Sequence, residues 1–303
     1  MVWQAIRSAN PLWILLCPFP WLTSYAIRIV RWWWMLRQHV PDLPIQSCVW
    51  PYLFGAWLNL AIPLRAGDIA RSFGFRSQLR SPATRVLGTL VLERVFDFLI
   101  VAFLFFVGLV GTTTAGVVSE KFVVVAASVA SVTILGLVFL LTGQNIIRRA
   151  VHRISGWQWL AHRRVCQQSA VWLDHFLDGI SSIRKRSTLV LILTMTTTIW
   201  ALEITVYILV ATSLGLSNTI LAPWFSFSTA TLATTIPSAP GYVGTFDYFG
   251  ALGAVAYGID WSHATAFIIL THLVLLAPLF FIPLGYILGK GQLPDFRLSH
   301  HSR

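Results

Sequence analysis

The sequence predicts an all-α polytopic integral membrane protein, and three observations indicate this class. Of the 303 residues, 56% are hydrophobic and only 11% are charged, whereas a soluble domain carries about 25% charged residues. The mean hydropathy of +0.71 means that the chain has more apolar surface than a soluble core can bury. The apolar residues also form continuous runs, not the alternating pattern of a membrane β-barrel.

Apolar runs follow one another along the whole chain, and most approach the roughly 20 residues that a spanning helix needs. They lie at about 11–30, 46–64, 86–110, 121–142, 188–213, 218–236, 241–258 and 264–289. The runs at 46–64 and 241–258 are shorter and adjoin Pro/Gly breaks, which predicts half helices or re-entrant helices. We therefore expect six to eight transmembrane or re-entrant helices. The run from about Pro11 lacks a cleavage site and is expected to be a retained span.

The formal net charge of +11 indicates contact with anionic lipid headgroups at the cytoplasmic face and not with nucleic acid, because the basic residues cluster between apolar runs. The positive-inside rule places the segments 65–85 and 144–187 and the tail after Gly289 in the cytoplasm, and the nearly uncharged link 111–120 outside. The segment 144–187 reads as a basic amphipathic surface helix or as a plain linker. These features predict a multi-pass protein of the cytoplasmic membrane.

The aromatic and basic residues of the first run allow two expectations. The adjacent Trp32, Trp33 and Trp34, like Trp157 and Trp159, are typical of interfacial anchors. The basic residues near the end of this run are predicted to lie on the cytoplasmic side; they are Arg28, Arg31 and Arg37.

Two breaks interrupt this apolar pattern, one in each half of the chain, and each contains an Ile-Pro step, a glycine and an aspartate. Proline removes a helix hydrogen bond, and glycine lets a ligand approach the backbone. Broken backbone inside a bilayer is tolerated only where protein or a watery cavity satisfies it, and paired interruptions point to a transporter's binding site and to an inverted repeat. The candidate substrate-binding or path-lining residues of the two breaks are Asn59, Pro63, Arg65, Gly67, Asp68 and Arg71, and Pro237, Pro240, Gly241, Gly244 and Asp247.

Charged residues within apolar runs complete the candidate site. Glu93 and Asp97 share a helix face, and Arg94 can reach Asp97. Ionisable groups in a bilayer face protein or water, so these three either clamp the helices together or line the substrate path. Glu203 stands alone in its run and is predicted to be neutral or paired with Arg65, Arg71 or Arg94. Around Asp68, the flanking Arg65 and Arg71 could hold a phosphate.

Metal, cofactor and catalytic residues are not expected. The two histidines of the last run, His263 and His272, do not have a metal-binding spacing and are predicted to be packing residues. The cysteines Cys17, Cys48 and Cys166 are far apart and predict neither a disulfide framework nor a zinc site. Because nucleotide-binding motifs are missing from the sequence, a gradient or the supply of lipid would drive any transport.

Four motifs occur in a fixed order and cover nearly the whole chain. They are Arg31-Trp32, Asn59…Pro63-x-Arg65-x-Gly67-Asp68-x-x-Arg71, Glu93-Arg94-x-x-Asp97, and Pro237-x-x-Pro240-Gly241-x-x-Gly244-Thr245-Phe246-Asp247. Together they resemble the lysylphosphatidylglycerol synthase transmembrane family. The family usually has glutamate where this chain has Asp68 and Asp247, and the N-terminus looks short by an early span.

The resemblance implies one flippase-like membrane domain over residues 1–303 that moves a lipid or a lipid-linked glycan between leaflets. The enzymatic family name derives from a soluble aminoacyl-transferase domain fused to some members, which we do not recognise here, so no lysyltransferase activity is expected. The alternative is a membrane accessory subunit that assists a glycosyltransferase or a lipid-modifying enzyme without transport of its own.

Overall fold

The computed structural model describes residues 2–62, 66–114, 131, 164–182, 185–216, 220–236 and 238–290, and the regular elements in these ranges are all helical. In chain order they are α1 (Val2–Arg7), α2 (Pro11–Leu16), α3 (Pro18–Arg37), α4 (Gln46–Ala61), α5 (Ala66–Phe73), α6 (Arg76–Leu79), α7 (Ala83–Thr114), α8 (Arg164–Ser181), α9 (Arg186–Ser213), α10 (Leu221–Ala233), a 3₁₀ turn (Pro240–Tyr242), α11 (Thr245–Val255) and α12 (Trp261–Lys290).

Three stretches of the described residues are long and apolar enough to cross a membrane: Pro11–Arg37, Arg186–Ser213 and Trp261–Gly289. The helix α7 has 32 residues, about 48 Å, but it carries the charged residues of the Glu93–Asp97 segment. The all-α membrane fold is thus confirmed, while six to eight crossings remain a prediction. The run at 121–142, apart from residue 131, and the part 144–163 of the segment 144–187, with Trp157 and Trp159, lie outside the described residues.

The helices beside the two breaks are short because proline and glycine end them. The helix α4 spans 16 residues, about 24 Å, and α11 spans 11, about 17 Å, so neither covers a hydrocarbon core of about 30 Å by itself. Each is one arm of a helix–break–helix hairpin, in which α4 packs on α5 and α10 packs on α11.

Two apolar cores hold the helices together. One joins α9, α10, α11 and α12 around large buried side chains such as Tyr207, Phe227 and Phe267. The other joins α3, α4, α7 and α8 around Trp32 and Phe96. Trp32 is fully buried and its indole N–H donates to Thr89 at 3.2 Å, so the expectation that it is an interfacial anchor is wrong. The long helices α3, α7 and α9 lie where the two cores meet.

The helices α7 and α8 touch through facing glycines. A methyl group added at Gly88 would lie 2.2 Å from the carbonyl oxygen of Phe176, and one at Gly179 would lie 2.2 Å from the carbonyl oxygen of Arg85. Small residues let membrane helices approach to backbone contact.

We expect Gly88→Ala to destabilise the protein by about 1–3 kcal/mol, because the backbones of α7 and α8 must separate. Thermal unfolding in detergent would measure this loss. The control is Gly289→Ala, where a methyl group meets nothing within 4 Å. Equal stability of both variants would show that the two helices do not pack as described.

Candidate functional site

The first break brings two polar side chains together at the crossing of α4 and α5. The Asn59 amide donates to Asp68 Oδ1 at 3.0 Å, and the backbone N–H of Asp68 donates to Asn59 Oδ1 at 3.2 Å. Gly67 permits this contact, because a methyl group there would lie 1.9 Å from the carbonyl oxygen of Gly55. Pro63 and Arg65 lie outside the described residues.

Arg31 is the centre of a buried ionic cluster. Its guanidinium is inaccessible to solvent and donates to both oxygens of Asp97, at 2.7 and 3.1 Å, and to Glu93 at 2.9 Å. It also donates to the Thr196 hydroxyl at 2.7 Å. A buried charge persists only when it is paired and hydrogen-bonded. Arg31 therefore links α3, α7 and α9.

Arg71 joins α5 to the same cluster. It donates to Glu93 Oε2 at 3.3 Å, while its guanidinium carbon lies 3.8 Å from the Trp32 ring centroid and 4.0 Å from that of Tyr52. The Tyr52 hydroxyl donates to Glu93 Oε1 at 3.0 Å. Glu93 thus accepts from three donors and lies too deep to meet a ligand, whereas Arg71 reaches the cavity described below.

Two further ion pairs lie on the outer side of this cluster. Arg28 pairs with Glu203 at 2.5 Å and approaches Asp97 at 3.8 Å. Arg94 donates to both carboxylate oxygens of Asp68 at 3.2 Å. The Arg94 side chain is 40% exposed, against 8% for Arg28, 3% for Arg71 and none for Arg31. Of these four arginines, Arg94 is therefore the most accessible to an entering ligand.

The structure corrects three sequence expectations about these charges. Arg28 and Arg31 are buried partners of carboxylates and not cytoplasmic loop charges. Glu203 pairs with Arg28 and not with Arg71 or Arg94, and the third proposed partner, Arg65, lies outside the described residues. Arg94 pairs with Asp68, because Asp97 is occupied by Arg31. Residues far apart in sequence satisfy each charge, which local spacing could not show.

The described network contains equal numbers of positive and negative side chains. The carboxylates Asp68, Glu93, Asp97 and Glu203 match the arginines Arg28, Arg31, Arg71 and Arg94. An anionic ligand would therefore have to compete with a carboxylate for an arginine.

A charged cavity of about 230 Å³ lies beside the outer pairs. Both breaks contribute to its wall, the first through Asn59 and Asp68 and the second through Tyr242 and Phe246. The other polar residues in its lining are Tyr25, Arg28, Tyr52, Arg71, Arg94, Trp200, Glu203, Tyr207, Thr231 and Thr234. Two regions of broken backbone, distant in sequence, thus meet at one cavity.

Two more spaces adjoin the charged cavity in turn, since neighbouring spaces share lining residues. A side cavity of about 180 Å³ shares Arg94, Trp200, Thr231 and Thr234 with it and includes Asp97 in its lining. The side cavity in turn shares Leu232 and Thr235 with an apolar groove of about 650 Å³. The groove lies between α7, α10 and α11 and is lined by side chains such as Phe105, Leu109, Phe225, Phe249 and Leu252.

The second break is held from behind the charged cavity. Asp247 Oδ2 accepts from the backbone N–H of Gly244 at 3.0 Å, and its Oδ1 lies 2.7 Å from His272 Nδ1. His272 Nε2 lies 2.9 Å from the carbonyl oxygen of Gly241. His272 therefore bridges α11 and the turn, a more specific role than the packing that the sequence predicted.

Glycine conformation is required in this turn. Gly241 and Gly244 have φ angles of 68° and 90°, and Tyr242 between them is also left-handed at 59°. Pro240 begins the 3₁₀ turn, and Pro237 lies outside the described residues. Among the predicted residues of this break, Pro240, Gly241, Gly244 and Asp247 shape the wall from behind and are not part of the cavity lining.

Sequence reasoning missed Arg28, Arg31, Tyr52 and His272 as site residues. A signal existed for the first two, because they stand three apart inside an apolar run and so share one helix face.

The second histidine of α12, His263, is exposed and pairs with Asp260. The hydrogen bond from His263 holds the pKa of Asp260 below its usual value.

Comparison with known proteins identifies the family. Residues 1–282 match the family described as the lysylphosphatidylglycerol synthase TM region. No solved structure matches the chain significantly.

Three named relatives are similar to this chain. A UPF0104 membrane protein of Methanocaldococcus jannaschii is 27% identical, over 72% of this chain and 87% of the relative. A UPF0104 membrane protein of Methanothermobacter thermautotrophicus is 25% identical, over 80% of this chain and 75% of the relative. The glycosyltransferase AglD of Haloferax volcanii is 23% identical, over 89% of this chain but only 48% of that protein. The chain is thus a multi-pass α-helical membrane protein that belongs to the lysylphosphatidylglycerol synthase transmembrane-region family.

Proposed function

We propose that this protein binds a lipid or lipid-linked glycan with an anionic headgroup and moves it between the leaflets of the cytoplasmic membrane. The observation that carries the proposal is that a charged cavity, a side cavity and an apolar groove lie next to one another and share lining residues. An amphipathic molecule needs both environments, and a soluble anion would need only the first. In this proposal residues 1–303 act as one membrane-embedded unit.

The headgroup binds at Arg94. This arginine faces both the charged cavity and the side cavity, and its Nη2 already donates to both oxygens of a carboxylate. Phosphate oxygens can accept from the same guanidinium. Asp68 is the group that a phosphate must displace, and Asn59 keeps Asp68 in place when Arg94 leaves it.

Buried hydrogen-bond donors without a partner in the wall of the charged cavity support a ligand there. In the part of the chain that the structure describes, Arg28 Nε, Arg71 Nε and Trp200 Nε1 are buried donors without a partner, and all three residues line the charged cavity. A buried donor left unpaired costs about 1–3 kcal/mol. Phosphate or sugar oxygens would give such donors partners after a small movement of the wall.

The hydrocarbon chain occupies the apolar groove. Leu232 and Thr235 line both the side cavity and the groove, so in this proposal a chain extends along α10 and α11 while its headgroup stays at Arg94. Movement between leaflets then requires the two helix–break–helix hairpins to rock against each other, since both form the cavity wall.

Similarity to AglD supports a second candidate. This chain aligns with about half of that glycosyltransferase, so the membrane region could serve a lipid-modifying enzyme as an accessory subunit that holds the lipid. The two candidates share the lipid site and differ in whether the lipid crosses the membrane.

The test is movement of fluorescently labelled phosphatidylglycerol in proteoliposomes containing the purified chain. Arg94→Gln is expected to slow movement about tenfold to a hundredfold, which corresponds to one lost charge-assisted contact of about 1.5–3 kcal/mol. Asp68→Asn removes the competing charge and is expected to bind the same lipid more tightly than the unchanged protein.

Arg37→Gln is the matched control, because this arginine ends α3 and donates to the Pro41 carbonyl in an exposed position, away from the charged cavity. Movement that survives Arg94→Gln would remove Arg94 from the mechanism. Tight lipid binding without movement, from folded protein, would favour the accessory subunit.

A further inference from the structure

The contact between Asp247 and His272 has an unusual requirement for protons. His272 Nε2 faces the Gly241 carbonyl oxygen, which can only accept, so this nitrogen must carry a proton. His272 Nδ1 faces Asp247 Oδ1 at 2.7 Å, and this bond also needs a proton, on the imidazole or on the carboxyl. Three groups in a row, the carboxyl, the imidazole and the carbonyl, are thus joined by two protons, one more than a neutral imidazole and a carboxylate hold together.

We propose that Asp247 and His272 share a bound proton that maintains the hydrogen bond from His272 to the Gly241 carbonyl oxygen, and that loss of this proton breaks this bond. The second break is called closed when the bond is present and open when it is lost. A neutral imidazole has one N–H only. The N–H would stay with the charged Asp247, because a charge-assisted hydrogen bond is the stronger of the two. The Nε2 lone pair would then face the carbonyl oxygen of Gly241 and repel it. One proton passes to water, and the pair keeps one negative charge.

The backbone of the break is set to move when this bond is lost. Gly241 and the non-glycine Tyr242 are both left-handed, and a residue such as tyrosine held there is strained. The bonds to His272 and Asp247 offset this strain. Without the bond at Gly241 the turn can relax, and Tyr242 moves with it.

Movement of Tyr242 would change the charged cavity directly, because this residue and Phe246 are part of its wall. The Phe246 ring also lies against the His272 ring, with centroids 4.4 Å apart. Gain or loss of the shared proton would therefore change the shape of the charged cavity, although Asp247 and His272 do not line it. The coupling of this proton to lipid movement rests on the proposed function, whereas the closing of the break rests on the geometry alone.

Few other titratable groups face the pair in the described residues. From α9, Tyr207 interacts electrostatically with Asp247 and also with Glu203. From α4, the side chain nearest to Gly241 is the apolar Leu60. The nearest tyrosine of the turn is Tyr242 itself. The pH dependence of the break is therefore assigned to the Asp247–His272 pair.

Two substitutions should act in opposite directions. In Asp247→Asn, the amide oxygen can accept from Gly244, and the amide N–H can donate to a neutral His272 whose Nε2–H still bonds Gly241. Every bond survives without the extra proton, so the break should stay closed at all pH values. In His272→Gln, one amide cannot reach both partners, so the break should stay open at all pH values.

Hydrogen–deuterium exchange of peptides covering residues 238–247, corrected for the chemical exchange rate, measures the closing. Protection should fall in the unchanged protein when the pH is raised from about 5.5 to about 8.5. It should stay high in Asp247→Asn and low in His272→Gln. The controls are Asp260→Asn and His263→Gln, since this exposed Asp–His pair on the same helix should leave the pH profile of the break unchanged.

Constant protection in the unchanged protein, or a titrating Asp247→Asn, would overturn the inference. Lipid movement in proteoliposomes is measured over the same pH range to separate the two proposals. A titrating break in a protein that moves no lipid would preserve the proton site and remove the transport proposal. Lipid movement by a protein whose protection does not change with pH would preserve the transport proposal and remove the proton site.

Discussion

Replacing Arg31 with methionine is expected to lower the free energy of unfolding by about 3–5 kcal/mol, the usual cost of leaving a buried charge unpaired. Among the described residues, Arg31 alone neutralises Asp97 at hydrogen-bonding distance, and it is one of two arginines bonded to Glu93. Without it, Asp97 loses its hydrogen-bonded partner and Glu93 loses one of its two arginines. Chemical or thermal unfolding in detergent, followed by the near-ultraviolet signal of the buried tryptophans, would measure the loss.

Two further variants separate charge from packing. In Arg31→Met combined with Asp97→Asn, the charges balance again, and a part of the lost stability should return; the double-mutant cycle gives the coupling of the pair. Arg31→Lys keeps the charge but cannot donate in parallel to both Asp97 oxygens and to Glu93, so an intermediate loss is expected. If the double variant is as unstable as the sum of the single variants, the pair is not coupled and the clamp is disproved.

Gly67→Ala is expected to have the second largest effect, because the added methyl group has no room. It would lie 1.9 Å from the Gly55 carbonyl oxygen and 2.7 Å from the Asn59 backbone nitrogen, and backbone atoms cannot turn aside as a flexible side chain can. The helices α4 and α5 must separate, at a cost of about 2–3 kcal/mol. The Asn59–Asp68 bonds, which depend on this contact, should break with them.

The readout combines stability with lipid movement. Movement should fall by more than the stability loss alone explains, because Asp68 no longer holds Arg94 in position. Gly285→Ala is the control, since a methyl group there meets nothing within 4 Å and should be neutral or slightly stabilising. A Gly67→Ala protein with unchanged stability and movement would contradict the close crossing of α4 and α5.

The membrane class and the positions of the breaks could be predicted from the sequence because they depend on local features. Hydropathy reports the helices, and proline with glycine reports where they stop, as at Gly241 and Gly244. The shared face of Glu93 and Asp97 also followed from spacing, and both carboxylates do meet Arg31.

The pairing of charges could not be predicted in the same way. Arg28 and Glu203 are 175 residues apart, and Arg31 and Asp97 are 66 apart. The positive-inside rule counts such arginines as surface charges, because the rule has no knowledge of carboxylates on other helices. His272 was underestimated for a related reason: its partners come from another helix and from a backbone carbonyl, which carries no signature in the sequence.

The equal numbers of arginines and carboxylates in the network have an electrical consequence. A membrane potential acts on net charge, at about 2.3 kcal/mol per elementary charge moved across 100 mV. A neutral group of four arginines and four carboxylates can shift as a unit with almost no electrical work. In the proposed transport, the described network would therefore add almost nothing to a dependence of activity on voltage, which would report the charge of the lipid and of the proposed shared proton instead.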